Sequence, residues 1–186
     1  MKHIESLKKA VKSFQKKLNH PKETVRKRNM GNIAERYNSM GRAFLYCDDV
    51  ASAKKLFEAA YKTLKQGRIL DNYRILSSTW DGLSYVAFKS NNVKEFINCR
   101  LNYIKNRKMI IQKDSIKAHY TNKDSDFSNL GDYYLKTADW ALVLGASPKS
   151  ITPYFEEAKK LKKVKTKDIK KLIYHHPNLK AVFGNF

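Results

Sequence analysis

Apolar residues recur along the start of the chain at alternating steps of three and four, as Ile4, Leu7, Val11, Phe14 and Leu18. Residues so spaced share one face of an α-helix, so the pattern predicts a helix that buries a narrow stripe. It ends at Asn19-His20-Pro21, because proline disfavours a helical conformation in the residue before it. The basic stretch from Lys22 to Arg28 has few apolar partners and reads as an exposed helical start or linker ahead of Asn29-Met30-Gly31.

A second run begins near Asn72, with Ile75, Leu76, Trp80, Leu83, Val86 and Ala87 on one side. After a turn at Asn91-Asn92, the residues Val93, Phe96, Ile97, Leu101, Ile104 and Ile111 continue a helix that carries Arg100, Lys105, Arg107 and Lys108 outward. Between Gln112 and Asn129 the sequence turns polar, and its centre reads as a loop. A third pair of helices is expected from Ser128 to Leu144 and from Ser147 to about Lys163. Ala138, Ala141, Leu142, Ile151, Phe155 and Ala158 line its inside. Gly145 closes the first of these helices, while Ser147 and Pro148 supply an N-cap and a first helical residue for the second. Thr166-Lys167-Asp168 starts a short helix through Tyr174, and Leu179, Val182, Phe183 and Phe186 form an apolar tail expected to pack as a cap.

The central stretch, Tyr37 to Gly67, has the most specific spacing. Tyr37, Met40, Gly41, Phe44, Ala53, Phe57 and Ala60 alternate bulky and small residues as two crossing helices require. Gly41 and Ala53 have almost no side chain where the helices approach, and a large residue at Gly41 should clash. Asp48-Asp49 forms the turn, with Asp49 as N-cap before Val50. These seven residues stand at the spacing of the tetratricopeptide repeat, which the stretch resembles. Lys65 replaces the family's terminal proline, with Gly67 available as a helix stop. Trp80, Leu83 and Ser84 repeat Tyr37, Met40 and Gly41 after 43 residues, but Phe96 then stands for Ala53 and Arg100 for Phe57. The neighbouring repeats are therefore degenerate.

The resemblance implies an all-α fold, a short right-handed stack of antiparallel helix pairs with seven to nine helices. At 186 residues the chain suits one domain: an N-terminal amphipathic helix over 1–20, helix pairs over 33–163, and a C-terminal helix and tail over 166–186. In that family the first helix of each pair lines the concave face. The outward positions Asn38, Arg42 and Tyr46, and by analogy Asp81 and Tyr85, are thereby candidates for contact with a protein partner.

Charge changes this picture. The net charge is +21, and it is concentrated at the ends. Residues 1–36 hold 11 Lys/Arg against 3 Asp/Glu and residues 159–186 hold 9 against 1, so the terminal elements carry 16 of the 21 charges. Lysine outnumbers arginine 30 to 8, a bias that a low-GC genome also produces. Such a field attracts phosphate or acidic protein surfaces. Lys8, Lys9, Lys12, Lys16, Lys17, Arg26, Lys27 and Arg28, joined to Lys159, Lys160, Lys163, Lys167, Lys170 and Lys171 in one basic surface, are the candidates for binding nucleic acid or an acidic partner.

Other chemistry finds little support. The apolar run from Trp140 to Ala146 is far too short to span a bilayer. The N-terminus lacks an apolar signal segment, so the expected location is cytoplasmic. Cys47 and Cys99 read as buried, reduced thiols. The histidines, including the adjacent His175 and His176, show no zinc spacing. Asp124-Ser125-Asp126 starts like a calcium loop but no glutamate arrives at the twelfth position. No phosphate loop, nucleophile elbow or carboxylate pair is present, and a metal-free nuclease built on His119, Tyr120 and lysines is the weaker alternative. No cofactor is expected. Of the aromatics, Tyr46, Tyr61, Tyr73, Tyr103 and Tyr120 fall outside the clearest stripes, and one or two of them are expected on a ligand-facing groove. The sequence therefore favours a non-enzymatic helical-repeat adaptor or inhibitor that binds an acidic protein segment. The alternative is a protein that holds RNA or DNA through lysine–phosphate contacts.

Overall fold

The computed structural model describes residues 2–117, 123–161 and 166–179, and every regular element among them is helical. Helix α1 (Lys2–Lys16) precedes three hairpins: α2 (Glu23–Tyr46) with α3 (Val50–Gln66), α4 (Tyr73–Lys89) with α5 (Val93–Lys117), and α6 (Lys123–Val143) with α7 (Pro148–Leu161). Helix α8 (Thr166–His175) and a 3₁₀ turn (Pro177–Leu179) complete the described chain. Each helix packs on the next from α1 to α7, and α2 also touches α4, so the all-α fold is a stack of helix pairs. Among the described residues, no helix is long and apolar enough to cross a membrane.

The predicted stripes become the seams of this stack. Leu7 and Val11 of α1 are buried against Ile33 and Met40 of α2, so α1 docks on the first hairpin and leaves its lysines in water. Ala34, Ala60, Leu64 and Leu76 join the first hairpin to α4. Ala87, Phe96, Ala138, Ala141, Leu142 and Ile151 join the second hairpin to the third, and Leu179 is fully buried among them, as expected of a cap. Val182, Phe183 and Phe186 lie outside the described residues.

Phe57 holds the first seam. Its ring, fully buried, meets Gly41 of α2 so closely that a β-carbon there would stand 2.8 Å from Cζ, as the sequence predicted. The same ring presses on Gly82 of α4, where a β-carbon would overlap it. Gly82 carried no signal in the register that aligns Ser84 with Gly41.

Four helices end in the same way. Asp48, Arg68, Asn91 and Gly145 each adopt a left-handed conformation (φ 58°, 50°, 53° and 84°). In each case the next residue's N–H donates to a carbonyl five residues back, as Asp49 to Phe44 and Ala146 to Ala141, both at 2.9 Å. These are Schellman ends. Gly145 closes α6 as expected, but Gly67 does not close α3 through left-handed geometry: its φ is −74° and Arg68 takes that role. A β-carbon at Gly67 would stand 2.7 Å from the Met30 sulfur, so a larger residue there would have to displace the Met30 side chain. The predicted caps also form, with Ser52 N–H donating to Asp49 Oδ1 (2.9 Å) and Ser150 N–H to Ser147 Oγ (3.3 Å).

Of the two readings of Lys22–Arg28, the helical start is the one observed: α2 runs unbroken from Glu23, ahead of the expected start of the first pair at 33, with Asn29 and Gly31 buried. Around the polar stretch Gln112–Asn129, α5 extends to Lys117 and α6 begins at Lys123, ahead of the expected Ser128, while 118–122, at the centre read as a loop, lie outside the described residues. Ser, Asp and Asn cost a helix only about 0.5 kcal/mol each, and the buried Ile111 and Leu130 anchor the flanking turns.

Candidate functional site

Helix α2 touches α4, rings of α4 reach Trp140 of α6, and a groove runs across these first helices of the three pairs. Its larger part is a cleft of about 520 Å³ bounded by α4, α5, α6 and α8. A smaller hollow of about 360 Å³ lies between α2 and α4, and the two meet at Asp81 and Tyr85.

Aromatic rings form the walls. Tyr85 meets Trp140 edge to face at a centroid distance of 5.3 Å, and Tyr103 meets Tyr133 at 5.1 Å. Tyr46, at 90% exposure, stands free at the α2 rim. Burial raises the phenol pKa of Tyr103, with the hydrogen bond its hydroxyl donates to Tyr133 adding to the shift, and burial also raises that of Tyr85. Both rings are neutral contact surfaces at physiological pH.

On the floor, Arg100 reaches forward from α5. Its side chain is almost wholly buried, with Nη1 3.0 Å from Asp81 Oδ1, Nε donating to Thr137 Oγ1 at 3.3 Å, and Cζ 4.7 Å from the Tyr103 ring centre. This reverses the expectation that Arg100 points outward, while Leu101, expected inward, is exposed. The Asp81 carboxyl is pulled two ways. Burial raises its pKa and the charges of Arg100 and Arg42 lower it, with burial prevailing. Asp139 of the α6 wall is held by His176, whose Nε2 lies 2.9 Å from its Oδ1.

The candidate contact residues divide accordingly. Arg42, Tyr46, Asp81 and Tyr85 line the groove. Asn38 does not. It is 2% exposed, and its amide donates to the Ile75 carbonyl (3.3 Å) and to Thr79 Oγ1 (3.0 Å), tying α2 to α4. Arg42, one turn further along α2, also reaches α4, its Nη2 donating to Ser78 Oγ at 2.6 Å, but its side chain stays exposed. Sequence reasoning missed Arg100, Tyr133, Lys136 and Trp140 as lining residues. The one available signal was the 43-residue repeat, which sets Arg100 where Phe57 stood.

The basic candidates do not form one surface. Lys8, Lys9, Lys12 and Lys16 are exposed on α1 and Lys17 just after it, beside the first hairpin. Lys159 and Lys160 sit on α7, and Lys170 and Lys171 on α8, at the third. The second hairpin lies between the two groups. Lys163 and the side chain of Lys167 lie outside the described residues. Arg26 is spent on structure, since its Nη1 donates to the carbonyls of His20 and Pro21 (both 2.7 Å) and fastens the α1–α2 turn. Lys159 and Lys160 pair along α7 with Glu156 and Glu157. Lys171 faces the groove, and Lys27 and Arg28 face a separate cleft against α4.

Among the singled-out tyrosines, Tyr46 and Tyr103 line the groove, Tyr73 lines the separate cleft, and Tyr61 packs on Trp80 at 5.2 Å. His119 and Tyr120 lie outside the described residues. Cys99 is buried and its thiol is pushed up to about 12 by burial, whereas Cys47 is exposed, contrary to expectation. No group of three or more potential metal-binding side chains occurs among the described residues. No family model matches the chain, and no curated protein or solved structure matches it either.

Proposed function

We propose that the protein is a non-enzymatic, tetratricopeptide-like binding module whose groove across α2, α4 and α6 takes a segment of a protein partner. The observation that carries this reading is the sharing of Asp81 and Tyr85 by two neighbouring clefts, of about 520 and 360 Å³, which together make an aromatic-walled groove. Large rings held by their neighbours present apolar area at low entropic cost, as binding surfaces require.

Charge refines the partner's chemistry. Arg42, Lys89, Arg100, Lys136 and Lys171 line the groove against Asp81, Asp132, Asp139 and Asp168. Asp81 is engaged by Arg100 and Asp139 by His176, and Lys136 and Lys171 remain exposed at the rim. The segment we infer is therefore apolar or aromatic at its anchor and acidic beside it, drawn in by the +21 field. Selection comes from the rings and rim, because the groove itself is close to neutral.

A photo-reactive phenylalanine at position 46 or 85, compared with position 62 on exposed α3, tests this in nuclease-treated extract of the native host. The expected outcome is a protein adduct from positions 46 and 85 alone, mapping to an acidic, apolar-anchored peptide and weakened by K136E/K171E. Equal labelling from position 62, or a signal abolished by nuclease, would sink the reading.

A further inference from the structure

The apolar part of the groove is mainly aromatic. Among the described residues, Tyr46, Tyr85, Tyr103, Tyr133 and Trp140 line it together with the aliphatic side chains of Leu45, Leu135 and Leu172. The rings are set across one another, Tyr85 on Trp140 and Tyr103 on Tyr133, with interplanar angles of 71° and 78°. Crossed rings fix each other and leave flat-sided notches between them. An amphipathic helix lays its apolar face into a smoother, more aliphatic trough.

Hydrogen-bonding capacity narrows the ligand's backbone. The carboxylates of the lining are engaged within the protein: Asp81 by Arg100 at 3.0 Å and Asp139 by His176 at 2.9 Å, while Asp132 and Asp168 have partners of their own. Donors are what the lining offers outward. Arg42, Lys136 and Lys171 are exposed along it, and these side chains, like the Trp140 indole, donate without accepting. A segment suited to such walls has carbonyls to be met and few N–H groups that need an acceptor, which is the character proline gives a chain. Strand addition finds no edge here, since every regular element among the described residues is helical.

We propose that the segment taken by the groove is proline-rich and lies there as a left-handed polyproline helix, with prolines in the notches beside Tyr85 and Trp140 and an acidic residue at the Lys136–Lys171 rim. This deepens, and rests on, the reading of the groove as the site for a segment of a protein partner. A polyproline helix repeats every three residues, so prolines at i and i+3 present the same face about 9 Å apart. Being extended before it binds, it loses little conformational entropy on entering a groove whose rings already hold one another.

The segment captured by photo-reactive phenylalanine at positions 46 and 85 is expected to carry two or more prolines three residues apart, with an acidic neighbour. Fluorescence anisotropy of the full chain with two labelled peptides checks the same point. One peptide repeats Pro-Pro-Leu behind a pair of aspartates, and the other has alanine in place of every proline. The proline peptide should bind at least ~10-fold more tightly than the alanine peptide. Y46A/Y85A should weaken it by ~10-fold or more, the loss of two ring contacts, and K136E/K171E by several-fold. Y174A removes another exposed tyrosine, one on α8 that does not line the groove, and should leave affinity within about two-fold. Y46A alone alters a side chain that is 90% exposed and should still lose about three-fold, while an unchanged helical circular dichroism spectrum checks the fold of each variant. Equal affinity for the two peptides, an equal loss in Y174A, or a captured segment without the paired prolines would overturn the proposal; the groove keeps its role as long as positions 46 and 85 still capture a protein. Failure to capture any protein, together with failure to bind either peptide, would overturn both.

Discussion

Phe57, on α3, fills the gap between α2 and α4; Arg100, 43 residues later on α5, fills the gap between α4 and α6. The two occupy matching places in successive hairpins. Around Phe57 the facing positions are Gly41 and Gly82, and the ring closes the seam so completely that neither glycine has room for a methyl group. Around Arg100 the facing positions are Asp81 and Thr137, and the seam opens at Asp81 into the larger cleft. An apolar ring gains its stability from contact and needs only small neighbours. A guanidinium needs partners and costs solvation, and in exchange it sets polar groups at the base of a groove. The stack is thus closed at its first seam and chemically open at its second.

The largest break in that comparison should come at the closed seam. F57A removes a fully buried ring shared by two helices and is expected to cost about 3–5 kcal/mol. The measurement is urea unfolding followed by circular dichroism. A loss under about 1 kcal/mol would mean that the two glycines collapse onto each other and that Phe57 is not what spaces α2 from α4.

At the open seam, R100A leaves the Asp81 carboxylate without its cation. Removing one partner of a buried pair costs ~3–5 kcal/mol, but exposed groups are screened. With 28% of the Asp81 side chain exposed, we expect about 2–3 kcal/mol. Replacing both partners, as R100M/D81L, should return stability to within about 1 kcal/mol of the natural chain while weakening the groove's partner. If the double variant were as unstable as R100A, the pair would be a structural wedge like Phe57, and the contrast between the seams would fail.

The closed seam was legible in the sequence and the open one was not, for a physical reason. Periodicity reports which residues dislike water, so Phe57, Gly41, Ala53 and the Leu7–Val11 stripe all fall where they were expected. It does not report which polar residues find a partner. Asn38 and Arg100 look like solvent-facing positions because their partners, Thr79, Asp81 and Thr137, lie on other helices. Gly67 and Arg68 show the limit at the scale of one turn, since a glycine near a helix end signals a stop without saying which residue takes the left-handed conformation.

The smallest expected effect sharpens the account of the open seam, because it asks whether burial or the arginine governs the Asp81 carboxyl. Burial raises its pKa above the ordinary value and Arg100 opposes this only in part. Between the unfolded and the folded pKa, the folded chain then binds more protons at this site than the unfolded chain does. The site's contribution to stability accordingly rises as pH falls through that window and declines as pH rises through it. D81N has a nearly isosteric neutral group with no such titration, so subtracting its stability cancels the carboxylates elsewhere in the chain. The difference, natural chain minus D81N, should shift in favour of the natural chain as pH is lowered from neutral into the carboxylate range, measured by urea midpoints at matched ionic strength. A shift in the opposite direction would place the folded pKa below the unfolded one. Arg100 would then outweigh burial, and the open seam would be held together by its ion pair as firmly as the closed one is by its ring.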